Sequence, residues 1–116
     1  MERIKSEEHF HKTPHNFNCA QAVLKGFQHH FQIEDEEIET FRAHGGGRAA
    51  EGLCGALHAA NHLMKKLGHE PLNQHFIEKA IHEKCKDIKL NKTCTCEECV
   101  KIADELVQSK IVAKSN

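Results

Sequence analysis

Apolar residues along this chain recur at three- and four-residue intervals. No stretch alternates apolar with polar residues among β-branched or aromatic types, so the pattern predicts helices and no sheet. A short first helix is predicted from Glu2 to about His11, anchored by Ile4 and Phe10, with Pro14 beyond its end. Asn18 and Gln21 have capping-box spacing, which starts a second helix with Cys19 in its first turn. Ala20, Val23, Leu24, Phe27 and Phe31 continue that helix as one apolar stripe. A third helix is expected from about Asp35 to His44, with Ile38 and Phe41 inward and acidic residues near the positive end of its dipole. Gly45, Gly46 and Gly47 stop it.

In the second half, Leu53, Ala56, Leu57, Ala60, Met64 and Leu67 share the face of a fourth helix, from about Leu53 to Leu67, that Gly68 terminates. Cys54 falls in its first turn, and Gly55, Ala56, Ala59 and Ala60 keep the early turns thin enough for a neighbouring backbone or an inorganic group to approach. A fifth helix follows Pro71 and reads as continuous, with Leu72, Phe76, Ile77, Ala80, Ile81 and Ile88 inward and Cys85 at the edge of the stripe. Thr95 and Glu98 form a second capping box that puts Cys96 at the first position of the last helix. Cys99, Val100, Ala103, Leu106 and Val107 continue its buried face. The expected fold is all-α: a compact bundle of five to six helices with cysteines at helix N-termini.

The chain has 116 residues, enough for one domain spanning 1–116, and its 39% hydrophobic content leaves little surplus of core material. Sixteen basic against 17 acidic residues leave a formal charge of −1, so no nucleic-acid partner is expected. The stretch Met1 to Lys12 is charged and without a signal-like apolar run, and no segment approaches the roughly 18 to 20 apolar residues of a membrane span. The expectation is a soluble cytoplasmic protein with no membrane partner. Against this ordinary background stand six Cys and 11 His. Where thiols are kept reduced, cysteine density points to metal or redox chemistry before structural disulfides.

Cys19, Cys54 and Cys96 each occupy a predicted first turn, where the helix dipole and unpaired amides stabilise a thiolate, the form that ligates metal or attacks a disulfide. Three such N-termini meeting at one end of a bundle would hold an electron-poor centre, with Cys85 available as a fourth sulfur. Cys94, Cys96 and Cys99 also form C-x-C-x2-C across a loop-to-helix junction, a spacing that places two or three sulfurs on one soft metal. Single buried cysteines are commonly inert. Six in one chain, three of them at helix starts, favour an iron–sulfur cluster or another soft metal. Zinc in a structural or regulatory module is one alternative, and a thiol–disulfide oxidoreductase cycling Cys54 with Cys19 or Cys96 is another.

Other motifs carry less. His58 and His62 have i, i+4 spacing but lie opposite the Leu53, Leu57 and Ala60 stripe, so they read as a solvated face, as do His9, His11, His29 and His30. Gly45 to Gly47 with Arg48 lack the preceding strand and the following Lys-Ser/Thr of a phosphate loop. The acidic run Glu34 to Glu39 reads as a solvated helix face.

The run Asn18-Cys19-Ala20-Gln21-Ala22-Val23-Leu24, the glycines at 45 to 47 followed by Gly52-Leu53-Cys54-Gly55-Ala56, and Cys96-Glu97-Glu98 with Val100 and Ala103 resemble the C_GCAxxG_C_C family of proteins, to which redox activity is ascribed. The resemblance covers nearly the whole chain. It implies four cysteines around an iron–sulfur cluster or similar centre, falling on Cys19, Cys54, Cys85 and Cys96. The last follows from the family's register, in which Val and Ala stand four and seven residues beyond the final Cys, as Val100 and Ala103 do from Cys96. Cys94 and Cys99 are then additions. Ala59 stands where the family has Gly, and the continuous helix read around Cys85 replaces the family's usual break before that Cys. A redox partner protein is the expected partner, with a homodimer left open.

Overall fold

The computed structural model describes residues 5–11, 17–44, 52–91 and 94–115. These form seven α-helices and no β-strand: α1 (Cys19–Gly26), α2 (Gln28–Phe31), α3 (Asp35–Thr40), α4 (Gly55–Leu67), α5 (Asn73–Ala80), α6 (Cys85–Asn91) and α7 (Cys96–Ser115). Among the described residues no helix is long and apolar enough to cross a membrane.

The core is a three-way packing of α1, α4 and α7. Small residues make the close approach possible: Ala20 and Ala22 on α1, Ala56, Ala59 and Ala60 on α4, and Ala103 on α7 are all buried. Leu24, Leu57, Leu63, Met64, Val100 and Val107 fill the space around these contacts and are fully covered. Each such large apolar side chain contributes about 1.5–3 kcal/mol by leaving water. α5 packs against α7 and adds Phe76, with Leu72 just before it, to the same core.

Helix ends set by local chemistry fall where the residues place them. Asn18 Oδ1 accepts from Gln21 N at 2.8 Å while Asn18 N donates to Gln21 Oε1 at 3.1 Å, closing the box on α1. Thr95 Oγ1 accepts from Glu98 N at 3.1 Å and Thr95 N donates to Glu98 Oε1 at 2.9 Å on α7. Gly68 ends α4 in the left-handed region at φ 71°, with His69 N returning to Met64 O at 2.8 Å.

Elsewhere tertiary bonds displace the expected elements. In place of a first helix, the described part of the N-terminal segment holds one 3-10 turn, Ser6–Glu8, because its backbone is taken by partners far along the chain. Ser6 N donates to Asp104 Oδ2 of α7 at 2.8 Å, Ser6 Oγ donates to Val23 O at 3.4 Å, and Phe10 bridges Phe17. The expected second helix breaks at Phe27 (φ −113°, ψ 12°), which keeps the Phe27 side chain buried, and Phe31 is only half-buried. The third helix tightens into a 3-10 turn, Phe41–His44.

α4 begins at Gly55 rather than Leu53, since Leu53 pairs with Lys84 in an isolated antiparallel bridge. The continuous fifth helix is a second correction: it divides at Ile81 (φ 77°, ψ −40°), which points outward at 58% exposure instead of inward. A β-branched residue at positive φ is strained. The turn is held by Cys54 N, which donates to Glu83 O at 2.8 Å. Glu2 to Ile4, Pro14, and Gly45 to Gly47 with Arg48 lie outside the described residues.

Candidate functional site

The break at Ile81 changes the position of Cys85, which becomes the first residue of α6. Cys19 and Cys96 are the first residues of α1 and α7, and Cys54 is the N-cap of α4. Four helix starts therefore carry a thiol. The four meet around one space: Cys19, Cys54, Cys85, Cys94, Cys96 and Cys99, with Ile88, line a cavity of about 20 Å³. That is room for one water-sized occupant.

Exposure is graded across the cavity. Cys19, Cys54, Cys85 and Cys99 are buried, Cys94 is half-buried and Cys96 is exposed, so the cavity opens on the side of Cys94 and Cys96. All six are thiols, none joined in a disulfide. The Cys99 thiol is pushed far up, chiefly by its interaction with Cys54, then by burial and by the neighbouring sulfurs of Cys94 and Cys96. Cys94 is also raised, chiefly by burial and then by the Glu98 carboxylate, while Cys99 acts the other way. Sulfurs this crowded resist collective ionisation unless a cation shares the charge.

The cysteine-bearing helix ends are fixed from outside the cavity. Beyond its capping box, Asn18 Nδ2 donates to Phe41 O at 3.2 Å and to Arg42 O at 2.9 Å, and the buried Gln21 Nε2 donates to Ile38 O at 3.2 Å. These bonds tie the start of α1 to α3 and the 3-10 turn after it. The Leu53–Lys84 bridge and the Cys54–Glu83 bond tie the start of α4 to that of α6.

A lining of thiols and one isoleucine suits thiophilic ions and lacks the oxygen ligands that magnesium or calcium need. Among the described residues, however, no three or more His, Cys, Asp or Glu side chains meet as a group that could hold a metal ion. The six sulfurs thus share a cavity as thiols, and a bound ion would require them to draw closer.

Glu34, Asp35, Glu36 and Glu39 and His11, His29 and His30 are exposed, as a solvated face requires, but His58, His62 and Glu37 are only half-exposed. His62 Nε2 lies 2.9 Å from Glu37 Oε2, and Lys66 Nζ lies 3.3 Å from the same oxygen. The Phe41 ring packs 5.0 Å from the His62 ring and 5.5 Å from that of His58. The face of α4 opposite its core stripe is thus a seam with α3, and Glu37 is held below the usual carboxylate range by its hydrogen bond to His62 and by Lys66. One feature escapes sequence reasoning: Cys85 as a helix start. The signal available for Cys85 was Asp87 in the first turn of α6.

No protein-family model, curated protein or solved structure matches the chain.

Proposed function

We propose that this chain is a redox-active protein whose cysteine cavity binds an iron–sulfur cluster or another soft metal, in electron transfer or redox sensing, as its resemblance to the C_GCAxxG_C_C family implies. The observation that supports the reading is that all six cysteines, from separate stretches of the chain, line one cavity at the starts of four helices. Cys19, Cys54, Cys85 and Cys96 are the proposed ligands, with Cys94 and Cys99 as replacements or as holders of a second ion. The bound group would supply the electron-accepting couple; the chain would supply thiolates, and first-turn amides of α1, α4 and α7 to hydrogen-bond their sulfurs. A redox partner protein, or a second copy of the chain, would approach the mouth at Cys94 and Cys96. A reducing cytoplasm is the setting in which such thiols persist.

A single zinc ion in a regulatory module is the second reading, favoured by a volume of about 20 Å³ that suits one ion better than a cluster. Anaerobic purification with iron, zinc and acid-labile sulfide analysis and visible absorption separates the two. Under the first reading iron and sulfide co-purify and are lost in Cys54→Ser and Cys96→Ser but retained in Cys94→Ser. Colourless stoichiometric zinc selects the second reading. Reduced protein that neither carries nor takes up thiophilic metal overturns both.

A further inference from the structure

We infer that α6 is a hinged flap over the cysteine cavity: it opens as one unit about Glu83 and Lys84 while the rest of the fold stays shut, and its closing brings Cys85 to the bound ion last. The opening stands on packing alone, whereas the closing step rests on the soft-metal reading above.

The helices that carry the buried cysteines are unequally held. α1, α4 and α7 form the core, and Cys19, Cys54 and Cys99 belong to its main hydrophobic cluster. Cys85 is almost as buried as Cys19, at 8% exposure against 7%, yet it stands outside that cluster, and its helix shares no broad interface with any other. Among the described side chains of α6 only Cys85 and Ile88 are buried, while Lys86, Leu90 and Asn91 are exposed. Lifting α6 therefore uncovers one isoleucine and one thiol, whereas parting α1, α4 and α7 would uncover the whole core. Segments with the fewest buried contacts open first.

The attachment of α6 sets the pivot. Glu83 O accepts from Cys54 N at 2.8 Å and Lys84 pairs with Leu53, so the residues just before α6 are fastened to those just before α4. Upstream of these ties lies the Ile81 turn, whose positive φ of 77° a β-branched residue adopts only under strain. Downstream, α6 is an arm: Cys85 lies next to the pivot, and Ile88, the one cavity-lining residue that is not a thiol, lies about one turn further out. A swing about the pivot moves Ile88 further than Cys85, so opening clears a way to the buried sulfurs and closing shifts Cys85 by a small step. Such a step is needed, because among the described residues no three His, Cys, Asp or Glu side chains meet as a metal-holding group. With Cys19, Cys54 and Cys99 fixed by the core, Cys85 is the buried thiol whose helix can make it.

The test follows amide hydrogen exchange by NMR in the reduced full-length chain, first without metal and then with zinc. Without metal, the amides of Ile88 to Asn91 should be about tenfold or more less protected than that of Cys54 and should share one urea dependence, as a unit opening on a closed pivot does. Exchange of α6 in step with Cys54 means that there is no pivot, and exchange that quickens amide by amide towards Asn91 means fraying; either overturns the flap. With saturating zinc, exchange in α6 should slow by about tenfold or more in the wild type and by less than about twofold in Cys85→Ser, checked for helicity by circular dichroism. Zinc bound with α6 exchange unchanged in the wild type, or slowed as much in Cys85→Ser, overturns the closing step. The wild-type comparison decides it where the variant holds no zinc or does not fold. Zinc that never binds to the reduced chain counts against the metal reading and removes the closing step with it, leaving the flap to the metal-free exchange.

Discussion

Gly26 owes its identity to Ser6, a neighbour from the start of the chain. A Cβ there would collide with Ser6 Oγ and lie 2.9 Å from Ser6 Cα. Backbone cannot yield as a side-chain tip can, and Ser6 is itself pinned to Asp104. Gly26→Ala is therefore expected to destabilise the fold by about 1–3 kcal/mol, measured as a lower urea midpoint at unchanged m-value. Glu37 sets a pH dependence at the same scale. Its folded pKa lies below the ordinary 4.5 because His62 and Lys66 favour the carboxylate. Its contribution is therefore present above the unfolded value and lost as pH falls through the folded one. Glu37→Gln should cost roughly 0.2–1 kcal/mol at neutral pH, and the wild-type and variant stabilities should converge in acid titrations followed by thermal melts.

Helices are where the sequence proves most and least readable. Both capping boxes are legible because their bonds join residues three apart, so spacing alone encodes them. Gly68 is legible for the same reason. The division of the fifth helix is not, since Ile81, His82, Glu83 and Lys84 include no Gly or Pro and the break is held by a bond from Cys54. The first helix fails likewise, its backbone diverted to Asp104. Asn18 joins local and distant roles. Asn18→Ala should cost about 1 kcal/mol for the cap, and it also removes the donors to Phe41 O and Arg42 O. A variant that melts at the wild-type temperature would show that the box does not stabilise α1.

At the scale of the whole molecule, the candidate site was half visible. Thiols at Cys19, Cys54 and Cys96 could be assigned to helix starts from caps and periodicity, but spacing along a chain carries no information about distance across a bundle. Their gathering follows from the thin contact of α1, α4 and α7, which brings those three starts to one end. The seam of Glu37, His62 and Phe41 was invisible for a related reason: a polar stripe on α4 looks solvated until another helix is laid over it.

The bond from Cys54 N to Glu83 O has a kinetic consequence. Cys54 stands before the first turn of α4, outside any helical ladder, so its amide would ordinarily trade its proton for deuterium as fast as an open loop does. Tethered to the turn that precedes Cys85, it should instead exchange only when that turn opens. The deuterium uptake of this one amide therefore times the moment at which two cysteine-bearing backbones part company.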